Sequence, residues 1–195
     1  MSLKKFFDPK SVAIIGASSQ RGSVGRALLE NALKRKSKTK VYPVNIKRSK
    51  VLNLKAYKTV LEIKKRVDLA VVATPAKTIP FVMEQIAEAK IKNVVIISAG
   101  FSEVGKDGDV LLERIREIAE INNIRVMGPN CLGYLVPERN LNISFASQTA
   151  KSGNVALISQ SGALCTSLLD WSKENKIGFS VFVSIGSMLD VSFSD

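Results

Sequence analysis

The chain has 195 residues, of which 46% are hydrophobic, and its formal net charge at pH 7 is +12. This length suffices for one full domain and part of another, and the composition can supply a buried core. No apolar run is long enough to span a membrane, the N-terminus is too short and polar for a secretory signal peptide, and two cysteines make no disulfide framework. We therefore expect a reduced, cytoplasmic protein that does not contact the membrane.

The positive charge is concentrated in the first third of the chain. Residues 1–66 contain 18 Lys and Arg against three acids, whereas residues 67–195 contain 11 against 14. This asymmetry favours an anionic ligand near the first half. The chain has no basic stripe interleaved with aromatics and no nucleic-acid motif, so nucleic acid is not the predicted partner.

Apolar runs rich in β-branched residues alternate with amphipathic stretches up to residue 128. The pattern predicts strands at 12–16, 41–44, 68–74, 93–98 and 125–128, and helices at 24–36, 59–65, 77–90 and 108–122. Continuous apolar strands that alternate with helices are typical of a parallel sheet covered on both faces. Because such crossovers are right-handed, the fold class is α/β, with a Rossmann-like doubly wound domain.

The pattern then lapses and resumes. The stretch 134–152 is polar and irregular, and we interpret it as a linker, followed by a strand at 154–159, a helix at about 162–174 and a strand at 179–186. Three elements cannot cover both faces of a sheet, and a usual domain needs on the order of 100 residues. We therefore predict a first domain at 1–134, a linker at 135–152, and at 153–195 the incomplete start of a second α/β domain.

The loop after the first strand is predicted to bind phosphate. Its glycines, at positions 16, 22 and 25, match neither the dinucleotide-binding G-x-G-x-x-G motif nor the Walker A loop. Gly16 still permits a tight turn, Ser18 and Ser19 offer hydroxyls, and the next helix directs its free N–H groups toward the loop. A plain turn is the alternative, but ligands bind at the carboxyl ends of strands in open α/β sheets.

The charge of the residues at the end of the second strand distinguishes between the candidate cofactors. NAD sites place an acid there, whereas this chain has no acid between Glu30 and Glu62 and reads PVNIKR, with Lys47 and Arg48. The sequence thus argues against NAD and for a ligand with an extra ribose phosphate, either NADP or coenzyme A. The alternative for Lys47 is an ordinary solvated lysine.

Six segments stand in a characteristic order: FFDPKSVAIIGAS, VYPVNIK, VDLAVVATPAK, VVIISAGFSEVG, GPNCLGYL and GNVALISQSGAL. Together they resemble the alpha part of NDP-forming acyl-CoA synthetases, chiefly the ADP-forming acetate–CoA ligases. Succinyl-CoA synthetase alpha is a more distant relative. The resemblance implies that the second domain is flavodoxin-like and of the succinyl-CoA synthetase type.

The resemblance also implies a CoA site on the first domain. The implied residues are Gly16, Ala17, Ser18 and Ser19 for a CoA phosphate; Lys47 as a phosphate partner; Pro75 and Ala76 beside adenine and ribose; and Ser98, Ala99 and Gly100 along the pantetheine path.

A second strand-to-helix turn, ISQSGAL, repeats the same device. Ser159, Ser161 and Gly162 can surround an anion at a helix start, although a serine cap worth about 1 kcal/mol is the alternative. The resemblance implies that this turn faces a phosphohistidine. It also implies that Asn130, in GPNCLG, borders the place where acid, phosphate and thiol meet. Cys131 is expected to be a packed side chain rather than a nucleophile.

The implied reaction converts an acid, CoA and ATP into acyl-CoA, ADP and phosphate, through an acyl phosphate and a phosphohistidine. This chain contains no histidine. The histidine, the ATP/ADP site and its Mg are therefore expected on other domains or on a partner subunit, either an ATP-grasp domain or a beta subunit, in an oligomer. No metal site is predicted here.

Three alternatives remain open at this point. The chain could be a non-catalytic CoA-sensing module of a protein lysine acetyltransferase, or a standalone CoA-binding regulator. An NADP oxidoreductase ranks last, because no hydride-site constellation follows the glycine loop.

Overall fold

The computed structural model describes residues 3–34 and 38–195. The strands are β1 (Ser11–Ile15), β2 (Lys40–Val44), β3 (Lys50–Val51), β4 (Leu54–Lys55), β5 (Leu69–Val72), β6 (Asn93–Ile96), β7 (Arg125–Met127), β8 (Gly133–Val136), β9 (Leu141–Ser144), β10 (Lys151–Ser159) and β11 (Gly178–Ser184). The α-helices are α1 (Lys4–Phe7), α2 (Val24–Leu33), α3 (Ile79–Glu88), α4 (Lys106–Ile121) and α5 (Gly162–Glu174).

Five parallel strands form the first sheet, in the order β2, β1, β5, β6, β7. Alternate residues of β1 enter two different cores: Ala13 and Ile15 pack with α3 and α4, whereas Val12 and Ile14 pack with α2. Helices therefore cover both faces, and the predicted doubly wound α/β fold is confirmed. The strand order reverses between β1 and β5, which opens a crevice at their carboxyl ends.

The second sheet has the order β10, β11, β8, β9. β10 and β11 are parallel, whereas β8 pairs antiparallel with both β11 and β9. The predicted strand, helix and strand after residue 152 are confirmed as β10, α5 and β11.

The predicted irregular linker is wrong in its secondary structure. Two short strands, β8 and β9, occupy much of it, joined by a 3-10 turn at Pro137–Arg139. The polar residues that hid β9 are buried but satisfied: the Ser144 hydroxyl donates to Asn142 Oδ1 at 2.7 Å, and Asn31 Nδ2 of α2 donates to the Ser144 carbonyl at 2.8 Å. The Asn31 bond ties the second sheet directly to α2.

Two predicted helices are shorter than expected. The segment 59–65 forms only a 3-10 turn at Val60–Glu62, since so short a stretch does not sustain an α-helix. α2 ends at Leu33, and the last predicted residues of that helix extend beyond the described residues.

Candidate functional site

The predicted site residues all lie at the carboxyl ends of strands. Gly16–Ser19 follow β1, Lys47 follows β2, Pro75 and Ala76 follow β5, Ser98–Gly100 follow β6, Asn130 follows β7, and Ser159–Gly162 lie between β10 and α5. The ends of β1, β2, β5, β6 and β7 meet at one edge of the parallel first sheet, so the fold gathers segments that are far apart in sequence. Ser159–Gly162 instead follow a strand of the second sheet.

The glycine loop is held by the neighbouring strand. The backbone N–H groups of Gly16 and Ala17 both donate to the Val44 carbonyl of β2, at 3.1 and 3.2 Å. They are therefore occupied. Val24 and Gly25, in the first turn of α2, have backbone N–H groups with no hydrogen-bond partner among the described residues. These are the groups that can meet an anion.

Close packing explains two of the loop's glycines. A Cβ atom on Gly25 would lie 1.9 Å from the Gly16 carbonyl oxygen, and a Cβ on Gly16 would lie 2.5 Å from the Ala73 carbonyl oxygen after β5. Gly16 also has a φ of +92°. No side chain fits at either position, so α2 begins directly against the loop.

Asn45 joins this loop to the Lys47 segment and was not predicted as a site residue. Its Nδ2 donates to the Ala17 carbonyl at 2.8 Å, and its Oδ1 accepts the N–H groups of Lys47 and Arg48, both at 2.9 Å. Lys47 itself is exposed. The Asn45 side chain thus fixes where the Lys47 backbone stands relative to the glycine loop.

The ends of β5, β6 and β7 are also tied together. The Ser98 hydroxyl donates to the Thr74 carbonyl at 2.6 Å, and the Asn130 N–H donates to the Ser98 carbonyl at 3.0 Å. The Gly100 N–H donates to the Glu103 carboxylate at 2.6 Å, which holds the pKa of that carboxyl below its usual value. The Gly100 N–H is therefore already used within the loop.

A cleft of about 550 Å³ connects the first sheet with the start of α5. Of the predicted residues it is lined by Ser98, Ala99, Asn130, Ser161 and Gly162. The other predicted residues do not line it: Gly16, Ala17, Ser18, Ser19, Lys47, Pro75, Ala76, Gly100 and Ser159. The structure thus brings the predicted pantetheine path and the second turn into one space.

Apolar side chains complete the cleft, and the sequence did not point to them. Val24 of α2, Leu132 and Phe145 line its walls. Phe145 lies in the segment predicted to be irregular, so no periodicity marked it. Cys131 also lines the cleft but is buried, and its burial raises the pKa of the thiol to about 12. It is packed, as predicted, and is not poised as a nucleophile.

The second turn opens α5. The Ser161 hydroxyl accepts the Leu164 N–H at 3.2 Å and caps the helix, while the Ser161 N–H donates to Ser159 Oγ at 3.1 Å. The N–H groups of Gly162 and Ala163 have no partner within the described ranges, and Ala163 is exposed. The turn therefore combines the cap with two free donors on residues that line the cleft.

Two features are absent from residues 3–34 and 38–195. These residues contain no cluster of three or more His, Cys, Asp or Glu side chains suited to a metal ion. None of their helices is long and apolar enough to cross a bilayer.

Two known domain families match the two parts of the chain. Residues 10–137 match the CoA binding domain family, and residues 152–195 match the succinyl-CoA ligase like flavodoxin domain. The chain is 41% identical to the acetate–CoA ligase [ADP-forming] I subunit alpha of Pyrococcus furiosus, over all of this chain and 43% of that relative. It is 45% identical to the acetate–CoA ligase [ADP-forming] of Methanocaldococcus jannaschii, over 99% of this chain and 27% of that relative.

A solved structure shows the same fold. The dinucleotide forming acetyl-coenzyme A synthetase 1 of Ca. Korarchaeum cryptofilum, in complex with phosphate and ADP, matches with a TM-score of 0.93 and 36% identity, over 98% of this chain and 41% of that chain. The chain thus spans less than half the length of these relatives. The resemblance to ADP-forming acyl-CoA synthetases is confirmed, and the alternative of a sensing module gains no support. With two thirds of its length matched, the chain belongs to the family of CoA-binding domains.

Proposed function

We propose that this chain is the CoA-binding part of an ADP-forming acyl-CoA synthetase, an acid–thiol ligase. The supporting observation is the cleft that joins the carboxyl edge of the first sheet to the N-terminus of α5. A CoA thiol delivered along Ser98 and Ala99 would enter the space onto which Ser161 and Gly162 open.

The residues present fit coenzyme A. The free N–H groups at the start of α2 and the Lys47 ammonium are suited to the diphosphate, and no acid stands at the end of β2 to repel it. Pro75 and Ala76, after β5, border the adenine and ribose. The smallness of Ser98, Ala99 and Gly100 leaves room for pantetheine.

The second turn serves the phosphoryl group. The N–H groups of Gly162 and Ala163 are fixed by α5 before any ligand arrives, so they stabilise negative charge without reorganisation. Ser159 and Ser161 hold this geometry, and Asn130 lines the same cleft as Ser161. The acyl group comes from a small carboxylic acid.

The remaining chemistry lies on other parts of the enzyme. With no histidine in the chain, the phosphohistidine, the ATP/ADP site and its Mg belong to further domains or to a beta subunit with an ATP-grasp fold, in a cytoplasmic oligomer. The division at residues 134 and 153 stays a prediction. In this arrangement the chain supplies the CoA site and half of the phosphoryl site.

Titration calorimetry of the 195-residue chain at moderate salt tests the proposal. We expect CoA to bind and NADH not to bind, because the end of β2 is basic and has no acid for the ribose hydroxyls. NADPH, which shares the extra ribose phosphate, is the matched control and should bind more weakly than CoA. NADH binding as tight as CoA binding would contradict the proposal.

A further inference from the structure

The short β3–β4 hairpin places two lysines directly opposite one another. Lys50 and Lys55 are register partners in the antiparallel pair, and both are exposed. Val51 is fully buried in the core on the α2 face of the sheet, which anchors the hairpin. The two side chains therefore leave the same face of an anchored hairpin.

This pairing costs stability when nothing compensates it. Like charges directly opposite in an antiparallel pair are destabilising. No acid occurs between Glu30 and Glu62, and neither lysine forms an ion pair within the described parts of the chain. Lys55 has only the ring of Tyr57, whose centroid is 5.2 Å from the ammonium nitrogen. Two unpaired, neighbouring lysines of this kind are suited to bind a doubly charged anion.

The hairpin is fixed beside the glycine loop. The Leu52 N–H, at its tip, donates to Ser19 Oγ at 3.1 Å. Beyond the hairpin, the Tyr57 N–H donates to the Pro43 carbonyl at 3.0 Å, and the Asn45 N–H donates to the Tyr57 carbonyl at 2.8 Å. The lysine pair, the glycine loop and the Lys47 segment thus form one connected surface.

We propose that Lys50 and Lys55 bind the 3′-phosphate of coenzyme A and so distinguish CoA from dephospho-CoA. The inference rests on the proposed function and assigns a second anion subsite to it. A phosphomonoester carries about −1.5 to −2 charges at neutral pH, which two lysines match, whereas each phosphate of the diphosphate or of a nucleic-acid backbone carries one. The glycine loop, the start of α2 and Lys47 remain for the diphosphate, so the ribose phosphate that the basic end of β2 indicated is assigned instead to the hairpin that follows it.

Binding of CoA and of dephospho-CoA to the 195-residue chain, measured side by side, tests this assignment. The wild type should prefer CoA by at least about tenfold, the factor expected for one charge-assisted hydrogen bond. Lys50→Gln with Lys55→Gln should abolish most of that preference and leave the dephospho-CoA affinity unchanged. Without ligand, this double variant should melt no lower than the wild type, because the repulsion is relieved.

The matched control is Lys64→Gln with Lys65→Gln, which removes the same charge from exposed positions elsewhere in the basic third. It should keep the preference for CoA. Equal weakening of both ligands by the hairpin variant, or an equal effect of the control, would overturn the assignment. The Lys50 and Lys55 double variant could instead lose binding to a single-stranded oligonucleotide while it keeps the wild-type preference for CoA over dephospho-CoA. That result would also overturn the assignment. A wild type that binds neither nucleotide would instead overturn the proposed function itself, and this inference with it.

Discussion

The turn between β1 and α2 and the turn between β10 and α5 are built alike but are supported very differently. β1 lies between two other strands and every residue of it is buried, and its turn is tied to Val44 by two backbone hydrogen bonds. β10 lies at the edge of its sheet, and seven of its nine residues are exposed. Ile158 is 52% exposed and Trp171 of α5 is 50% exposed.

Because of this difference, the two turns bind an anion in different ways. The first turn is fully specified by its own domain, so its geometry is complete before a ligand arrives. The second turn has its helix cap and free donors, while its strand and helix leave apolar side chains uncovered. We infer that the first turn holds its ligand through its own domain and that the second meets a phosphoryl group presented by another part of the enzyme.

The largest expected effect comes from adding one methyl group at the start of α2. In Gly25→Ala, the new Cβ would lie 1.9 Å from the Gly16 carbonyl oxygen, so α2 or the loop must move. We expect the free energy of unfolding to fall by at least about 3 kcal/mol, which is the upper end of the range for overpacking, and CoA binding to be lost. Denaturant unfolding and calorimetry measure the two effects.

Gly162→Ala is the matched variant at the second turn. Its Cβ would meet nothing closer than Leu132 Cβ at 3.8 Å, an ordinary contact. Its stability should stay within about 0.5 kcal/mol of the wild type, with CoA affinity unchanged. Equal losses in the two variants would show that the turns do not differ in packing as described.

The next effect concerns charge at the second turn. In the complete enzyme, Ser161→Asp should slow histidine phosphorylation by labelled ATP about 10²- to 10³-fold, because a fixed carboxylate would face the phosphoryl group at close range. Aspartate caps helices as well as serine does, so α5 should persist. CoA affinity should stay nearly normal, since the first turn is independent.

Ser161→Asn, which keeps a capping oxygen without the charge, is the control and should retain most of the labelling rate. If labelling survives in Ser161→Asp, the turn is only a helix cap. If CoA binding also collapses in that variant, the two turns are coupled and not independent.

The ends of most strands could be predicted from the sequence, whereas the contacts between them could not. Residues such as Gly16 and Ser98 follow apolar runs, and the carboxyl ends of parallel strands must share one edge. β9 could not be predicted, because its buried polar residues Asn142 and Ser144 bond to each other and break the apolar pattern, and β8 is an apolar run of only four residues, GYLV. The bond between Asn45 and Ala17 spans 28 residues and depends on how β2 sits beside β1.

Asn45 gives the smallest of these effects and tests how the first turn is held. Lys47→Ala should weaken CoA binding by about 1.5–3 kcal/mol, the range for losing a charge-assisted hydrogen bond, with the fold intact. Asn45→Ala should weaken it by about 1 kcal/mol, because the asparagine acts by placing the Lys47 backbone and the Ala17 carbonyl rather than by touching the ligand. The double variant should therefore lose less affinity than the sum of the two single losses, since without the Lys47 ammonium there is less for Asn45 to position.

The control variant is Asn154→Ala, which changes an exposed asparagine of β10 and should bind CoA like the wild type. Calorimetry of all four variants measures the coupling. Strict additivity would mean that Asn45 supports the loop alone and does not fix the place of Lys47.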